Sequence, residues 1–342
     1  VLSAANVPGQ APRRELVATC GAGYLELVNG HRVLHLKGSP EEMGRQHGTL
    51  LRPLVRENVE FFISQKSKTR LLMGKALAAR FDGRIPERFV REMKALAKAA
   101  DLPYWRVAAC NLIPEMFHCT GFVLLRQATA DKKLYHGRVL DYGVGLGLQE
   151  RAVLIIQEPE GAEAFVSVSY AGFIGSVTGM NLSQIAIGQL GGDRNAGKWE
   201  GVPMSFLVRM VLEEADSLEK AVAVFRDNPR TCEYYYVISD GEADDAIAIH
   251  AVPERIKTLR PGQKHKGLPQ PVDKTILVSA GGRYKELARR VRAGYGAFTA
   301  ESAIRLMDAP VAMKHNLHDV LMVPRDAVLY VAHAASDGSP AW

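Results

Sequence analysis

The chain has 342 residues, 47% hydrophobic and 23% charged, the values of an ordinary globular protein with a substantial core, arranged as one large domain or a domain with a helical appendage. Its formal net charge of +6 comes from 43 basic residues dispersed among 37 acidic ones; with no zinc-finger spacing, homeodomain-like helix or aromatic-basic strand pattern, no nucleic-acid partner is expected. Cys20, Cys110, Cys119 and Cys232 form no C-x-x-C pair and are too few for a disulfide scaffold, and no run reaches the roughly 18 apolar residues of an integral membrane helix.

Residues up to about 20 read as a disordered arm. The small residues of "VLSAANVPGQAPRR" resemble what remains beside a removed signal segment, which points to export, although a cytoplasmic location is equally compatible with the four scattered cysteines. "YLELVNGHRVLHLKG" alternates around Asn29-Gly30, the dipeptide of a type I′ turn, and predicts a hairpin. Ser39, Pro40 and Glu42 form an N-terminal capping box that opens a helix through "EEMGRQHGTLLRPLVRENVEFFI". Helical spacing continues in "GKALAAR", "PERFVREMKALAKAADL" and "PYWRVAACNL".

At Cys119 the texture turns to strands: "TGFVLL", "KLYHGRVLDY", "RAVLIIQE", "AFVSVSY" and "QIAIGQL". A helical stretch covers about 203–226, strands return in "EYYYVISD", "DAIAIHAV" and "KTILVSA", helices in "RYKELARRVRAG" and "TAESAIRLMD", and "DVLMVPRDAVLYVAHA" closes the chain as a hairpin. Strands and helices in blocks predict layers of sheet faced by helices.

Several motifs carry no chemistry. "YGVGLG" lacks the helix that a dinucleotide site needs, and His315 and His318 have no third ligand at a metal-site spacing; no cofactor or metal is expected. "ERIKTLRPGQKHKG" is a basic, solvated loop.

Cys119, in "MFHCTGFVLL", could be a buried space-filler, the ordinary fate of a free cysteine. Its position at the mouth of a strand suggests more. About twenty residues later comes "YHGRVLDYG", so that Arg138 and Asp141 lie on the neighbouring strand, pointing to opposite faces unless the strand ends or bulges. Gly143 and Gly145 would end it. A guanidinium near a thiol favours the thiolate. The base that activates the thiol could be His118, His136 or His315. Alternatively, scission between His118 and Cys119 would free an α-amine, with a pKa of about 7.7–8.0, on the nucleophile's own residue.

"CTGFVLLRQATADKKLYHGRVLDYG" resembles the N-terminal-nucleophile (Ntn) cysteine hydrolases that include acid ceramidase, N-acylethanolamine acid amidase and isopenicillin N acyltransferase. Their nucleophile opens a C-T-S-like strand followed by H-G-R-N-L-D-like residues, here "CTGF" and "HGRVLD". The likeness extends to "ACNLIPEMFHC", "GFIGSVTGMNLSQIAIG" and "VLMVPRDAVLYVA". It implies an α+β fold, a four-layer αββα sandwich, with a mainly helical propeptide segment over 1–118 and the hydrolase core over 119–342. It also implies self-scission between His118 and Cys119, after which the N-terminal segment would stay as a non-covalent partner.

Carried over by resemblance, Cys119 is nucleophile and base, Arg138 and Asp141 position and polarise it, and Asn181 donates to the oxyanion. The implied substrate is a small N-acyl amide, opened through a thioester by hydrolysis or acyl transfer. Two departures stand out: "TILVSAGGRY" offers Ser279, Ala280 and Gly281 where relatives place an asparagine donor, so that donor is a serine hydroxyl, a backbone N–H or missing, and Gly121 replaces a serine. The alternatives are a catalytically inert scaffold of the same fold and an uncleaved cysteine-histidine hydrolase.

Overall fold

A computed structural model describes residues 3–4, 12–112, 118–142, 144, 147–192, 197–265, 271–337 and 339. The short β1 (Ser3–Ala4) precedes β2 (Arg14–Cys20), where a disordered arm was expected. β2 is exposed along nearly its whole length, so no buried-face alternation announced it; its pairing with the next strand holds it. β3 (Gly23–Val28) and β4 (His31–Gly38) form the expected hairpin. Asn29 and Gly30 have φ of 51° and 86°, the left-handed pair that a type I′ turn requires.

Ser39 Oγ accepts from the Glu42 backbone while the Glu42 carboxylate accepts from the Ser39 N–H at 2.8 Å, and this reciprocal cap opens α1 (Pro40–Leu50). The single long helix expected here breaks at Leu51. Pro53 falls in the first turn of a new helix, α2 (Arg52–Phe62), where its missing N–H is harmless. α3 (Lys68–Arg80), α4 (Glu87–Ala99) and α5 (Tyr104–Asn111) follow.

The strand block comprises β5 (His118–Leu124), β6 (Tyr135–Asp141), β7 (Ala152–Pro159), β8 (Phe165–Tyr170), β9 (Thr178–Asn181) and β10 (Ile185–Gly191). β9, only four residues long, left no periodic signal. After α6 (Met204–Glu214) and α7 (Leu218–Asp227) come β11 (Tyr234–Asp240), β12 (Asp245–Val252), β13 (Arg255–Leu259) and β14 (Thr275–Val278). β13 corrects the basic-loop expectation: its cations face solvent at a sheet edge, a usual guard against edge pairing. α8 (Gly281–Ala293), α9 (Ala300–Ile304), β15 (Asn316–Val323) and β16 (Val328–His333) complete the fold.

The strands make two sheets. The smaller runs β1-β16-β15-β6-β5-β14 and the larger β13-β12-β11-β10-β9-β8-β7-β4-β3-β2. β5 packs against β10 and β11 across the sandwich; α1, α6 and α7 cover the outer face of the large sheet, and α8 and α9 that of the small one. This is the α+β, four-layer αββα sandwich that the resemblance implied.

The segment before Cys119 is mainly helical, as expected, but it has no core of its own. β4 runs parallel to β7 inside the large sheet, and Leu34, Phe89 and Met93 share one apolar cluster with Ile187, Phe206 and Phe225.

Candidate active site

β5 and β6 pair antiparallel with Cys119 opposite Leu140 and Gly121 opposite Arg138. Residues directly opposite share a face, so Cys119, Gly121, Arg138 and Leu140 all look toward the large sheet. Gly121 shows this: a Cβ there would lie 3.3 Å from Val237 and 3.4 Å from Leu190 of that sheet. The serine of the related motif would be tight here, which gives this glycine a packing reason.

Arg138 is fully buried, and its Nη2 donates to Cys119 Sγ at 3.1 Å and to the Gln189 carbonyl at 2.8 Å. Its room comes from Gly188, whose hypothetical Cβ would stand 2.8 Å from Arg138 Cγ. Nε and Nη1 of Arg138 have no hydrogen-bond partner among the described residues. Cys119 is 6% exposed. Burial pushes its thiol above the usual range, the Asp141 carboxylate adds to that, and the Arg138 cation is the largest opposing influence.

Asp141 follows the alternation and faces the helix layer over the small sheet. Its carboxylate accepts from Arg283 of α8 and from the Met313 N–H at 2.8 Å. Its backbone N–H acts on the Cys119 sulfur in the direction that favours thiolate, so the strand end serves the thiol through main chain while the side chain anchors α8. β6 does end at Asp141; Gly143 and Gly145, expected to end it, lie outside the described residues.

Asn181 requires a correction. It pairs with Phe165, on the face that packs against helices. Its Nδ2 donates to the carbonyls of Leu212 and Ala215 at 3.1 and 2.7 Å, and its Oδ1 accepts from Ile185 N at 2.9 Å. The amide therefore closes the end of α6 onto the β9–β10 turn, on the face of the large sheet away from Cys119. One residue of register decides this, because alternate residues of a strand serve opposite faces.

Ser279 Oγ lies 2.7 Å from Thr120 Oγ1, beside the nucleophile's strand. Two buried histidines have other partners: His136 Nδ1 lies 2.9 Å from Ser239 Oγ, and His318 Nδ1 lies 3.0 Å from the Tyr170 hydroxyl. His315 is exposed. The His118 backbone, in β5, pairs with Asp141 of β6. Among the described residues no group of three or more His, Cys, Asp or Glu is arranged to hold a metal ion, and no helix is long and apolar enough to cross a membrane.

Arg283 was missed from sequence. Its only signal was the arginine that follows the two glycines of "SAGGRY", where a strand passes into a helix, and nothing local indicates that Asp141 waits 142 positions earlier.

Comparison with known proteins agrees with the motifs. Residues 129–265 match the model of the acyl-coenzyme A:6-aminopenicillanic acid acyl-transferase family, a span that contains Arg138 and Asp141 and starts after Cys119. N-acylethanolamine-hydrolyzing acid amidase of Mus musculus is 25% identical, over 51% of this chain and 49% of its own length. Acid ceramidase of Rattus norvegicus is 26% identical, over 49% of this chain and 48% of its own. Among solved structures, the Caenorhabditis elegans ortholog of N-acylethanolamine-hydrolyzing acid amidase superposes with a TM-score of 0.49 at 16% identity, covering 60% of this chain and 93% of that one. The chain spans about half the length of the curated relatives it matches. The resemblance read from the sequence is borne out: this chain is similar to amidases and acyltransferases of that group.

Proposed function

We propose that this chain is the precursor of an N-terminal-cysteine amide hydrolase or acyltransferase that acts on a small N-acyl amide. The observation that carries the reading is the 3.1 Å contact between Arg138 Nη2 and Cys119 Sγ at the start of a buried strand: a guanidinium with no carboxylate partner among the described residues, placed against a thiol, is a means of stabilising thiolate.

In the scission step Sγ attacks the His118 carbonyl carbon, the His118–Cys119 C–N bond breaks, and the nitrogen takes up the thiol proton. Water then opens the thioester, leaving a carboxylate on His118 and a free α-amine and thiol on Cys119. In turnover that amine accepts the thiol proton as sulfur attacks the amide carbonyl. The leaving amine takes the proton away, and water or a second amine receives the acyl group. Arg138 holds the thiolate. Asp141, through Met313 and Arg283, fixes the strand end that carries it. The oxyanion donor is a backbone N–H or the Ser279 hydroxyl, and Asn181 has no part. The parallel β4–β7 pairing keeps the first segment attached after scission.

Mass spectrometry under denaturing conditions tests this. Two chains meeting at 118/119 are expected, and Cys119→Ala should abolish both scission and turnover. A single intact chain after prolonged acidic and neutral incubation would count decisively against the mechanism.

A second reading, an inert scaffold of the same fold, is favoured by the depth of Cys119 and by Asn181 being engaged elsewhere. An electrophilic thiol probe separates the two: labelling of Cys119 in preference to Cys20, Cys110 and Cys232 supports the enzyme, and equal indifference of all four supports the scaffold. For the uncleaved cysteine-histidine reading, no described histidine hydrogen-bonds Cys119, whose sulfur instead accepts from Arg138.

A further inference from the structure

α3 is an anomaly of packing. Of its 13 residues only Gly74 is buried, resting on Ile63 and Trp105. At 100° per residue Leu72 lies about 200° from Gly74, on the side facing away from the protein. Leu72 is 57% exposed and its neighbour Met73 is 67% exposed, the latter the most exposed large apolar side chain among those described. A helix of this length is marginal in water by itself, and here it turns Leu72 and Met73 outward while Leu77 packs against the core.

The charge around it is one-sided. From Phe61 to Phe81 the chain has no acidic residue and five cations: Lys66, Lys68, Arg70, Lys75 and Arg80. Those five stand against a net of +6 for all 342 residues, so nearly the whole excess charge sits on this one segment. Lys66, Lys68, Arg70, Lys75 and Arg80 are all exposed. Lys75 rides over the Trp105 ring at 5.6 Å and Arg70 over the Phe61 ring at 5.9 Å, and the Arg70 and Arg80 guanidinium groups donate to carbonyl oxygens. Among the described residues no carboxylate forms an ion pair with any of these five cations.

We propose that α3 is a peripheral docking element for an anionic lipid surface, in which Leu72 and Met73 enter the interface between headgroups and acyl chains while the five flanking cations meet the headgroups. The combination selects this occupant. An apolar pair alone would suit a protein partner, and cations alone would suit any polyanion, but apolar side chains set among cations on one exposed helix match a surface that is anionic outside and hydrocarbon beneath. The proposal is independent of the chemistry at Cys119, so either can fail without the other.

The test is co-sedimentation of the full chain with vesicles of phosphatidylcholine alone and of phosphatidylcholine with about one-third phosphatidylglycerol. Binding to the anionic vesicles, weakening as salt is raised, is expected. It should fall at least tenfold in the double variant Leu72→Ser/Met73→Ser and again in Lys66→Glu/Lys68→Glu, with circular dichroism unchanged because all four side chains are exposed. Absence of binding at low salt would overturn the proposal. So would binding that both variants leave intact, or a dimer that Leu72→Ser/Met73→Ser dissolves in a wild type that ignores vesicles, since the occupant is then a second copy.

Discussion

Arg138 and Asp141, three residues apart on β6, serve opposite faces of one strand: the guanidinium donates to the Cys119 sulfur between the sheets, while the carboxylate meets Arg283 in the helix layer. A motif that looks continuous in sequence thus divides into an electrostatic half and an anchoring half. The division follows from the two-residue period of a strand, and it makes the two residues separable by mutation.

Replacing Arg138 with Gln removes the cation that opposes the effect of burial on the thiol. The Cys119 thiol should then titrate at least one unit higher, which at fixed pH below its pKa means about tenfold less thiolate. Ultraviolet thiolate absorbance, taken as the difference from Cys119→Ala, measures it. An unchanged titration would show that the 3.1 Å contact has no electrostatic consequence.

Asp141→Asn should act differently. It leaves Arg138 in place and weakens the tie to α8, so a loss on the order of 3 kcal/mol in unfolding free energy is expected for this mostly buried pair. Scission should slow by about a hundredfold through misplacement of the strand end. A double-mutant cycle with Arg283→Gln should return a coupling of about 1–3 kcal/mol; additive losses would mean the pair does not interact.

For Asn181→Ala the expectation is purely structural. Two carbonyls and one N–H lose their buried partner, at a cost of about 2 kcal/mol or more, while the Cys119 titration stays where it was. A stable variant with lost turnover would restore Asn181 to the reaction.

Acid should destabilise the fold through histidine. Burial, with Arg209, lowers His47 to about 3; burial, with Arg138, lowers His136 to about 3; burial, with His31, lowers His333 to about 3. Because the folded values lie below the unfolded value of 6.5, the contribution is complete above pH 6.5 and is lost as pH falls toward 3. Urea unfolding should therefore show stability declining below pH 6.5, each histidine contributing up to about 1.4 kcal/mol per pH unit. His47→Gln, which can still accept from the Gly172 N–H, should reduce that slope. Stability that rises on acidification would contradict the assignment.

The sequence by itself determined what a few adjacent residues can encode. Asn29-Gly30 specifies a left-handed turn, Ser39 and Glu42 a reciprocal cap, and the alternation after Cys119 a strand with Arg138 on its neighbour; the 3.1 Å contact between them belongs to the folded structure. These are local properties, legible because backbone geometry fixes them within one turn or one hairpin. Tertiary structure decided the rest. The face on which Asn181 lies depends on the register of β9 against β8, the union of Asp141 with Arg283 on the docking of α8, and the neutrality of His47 and His136 on layers closing over them. Exposed strands such as β2 and β13 escaped notice for the same reason in reverse: pairing defines them, and an edge strand that buries little leaves almost no hydrophobic trace in its own residues.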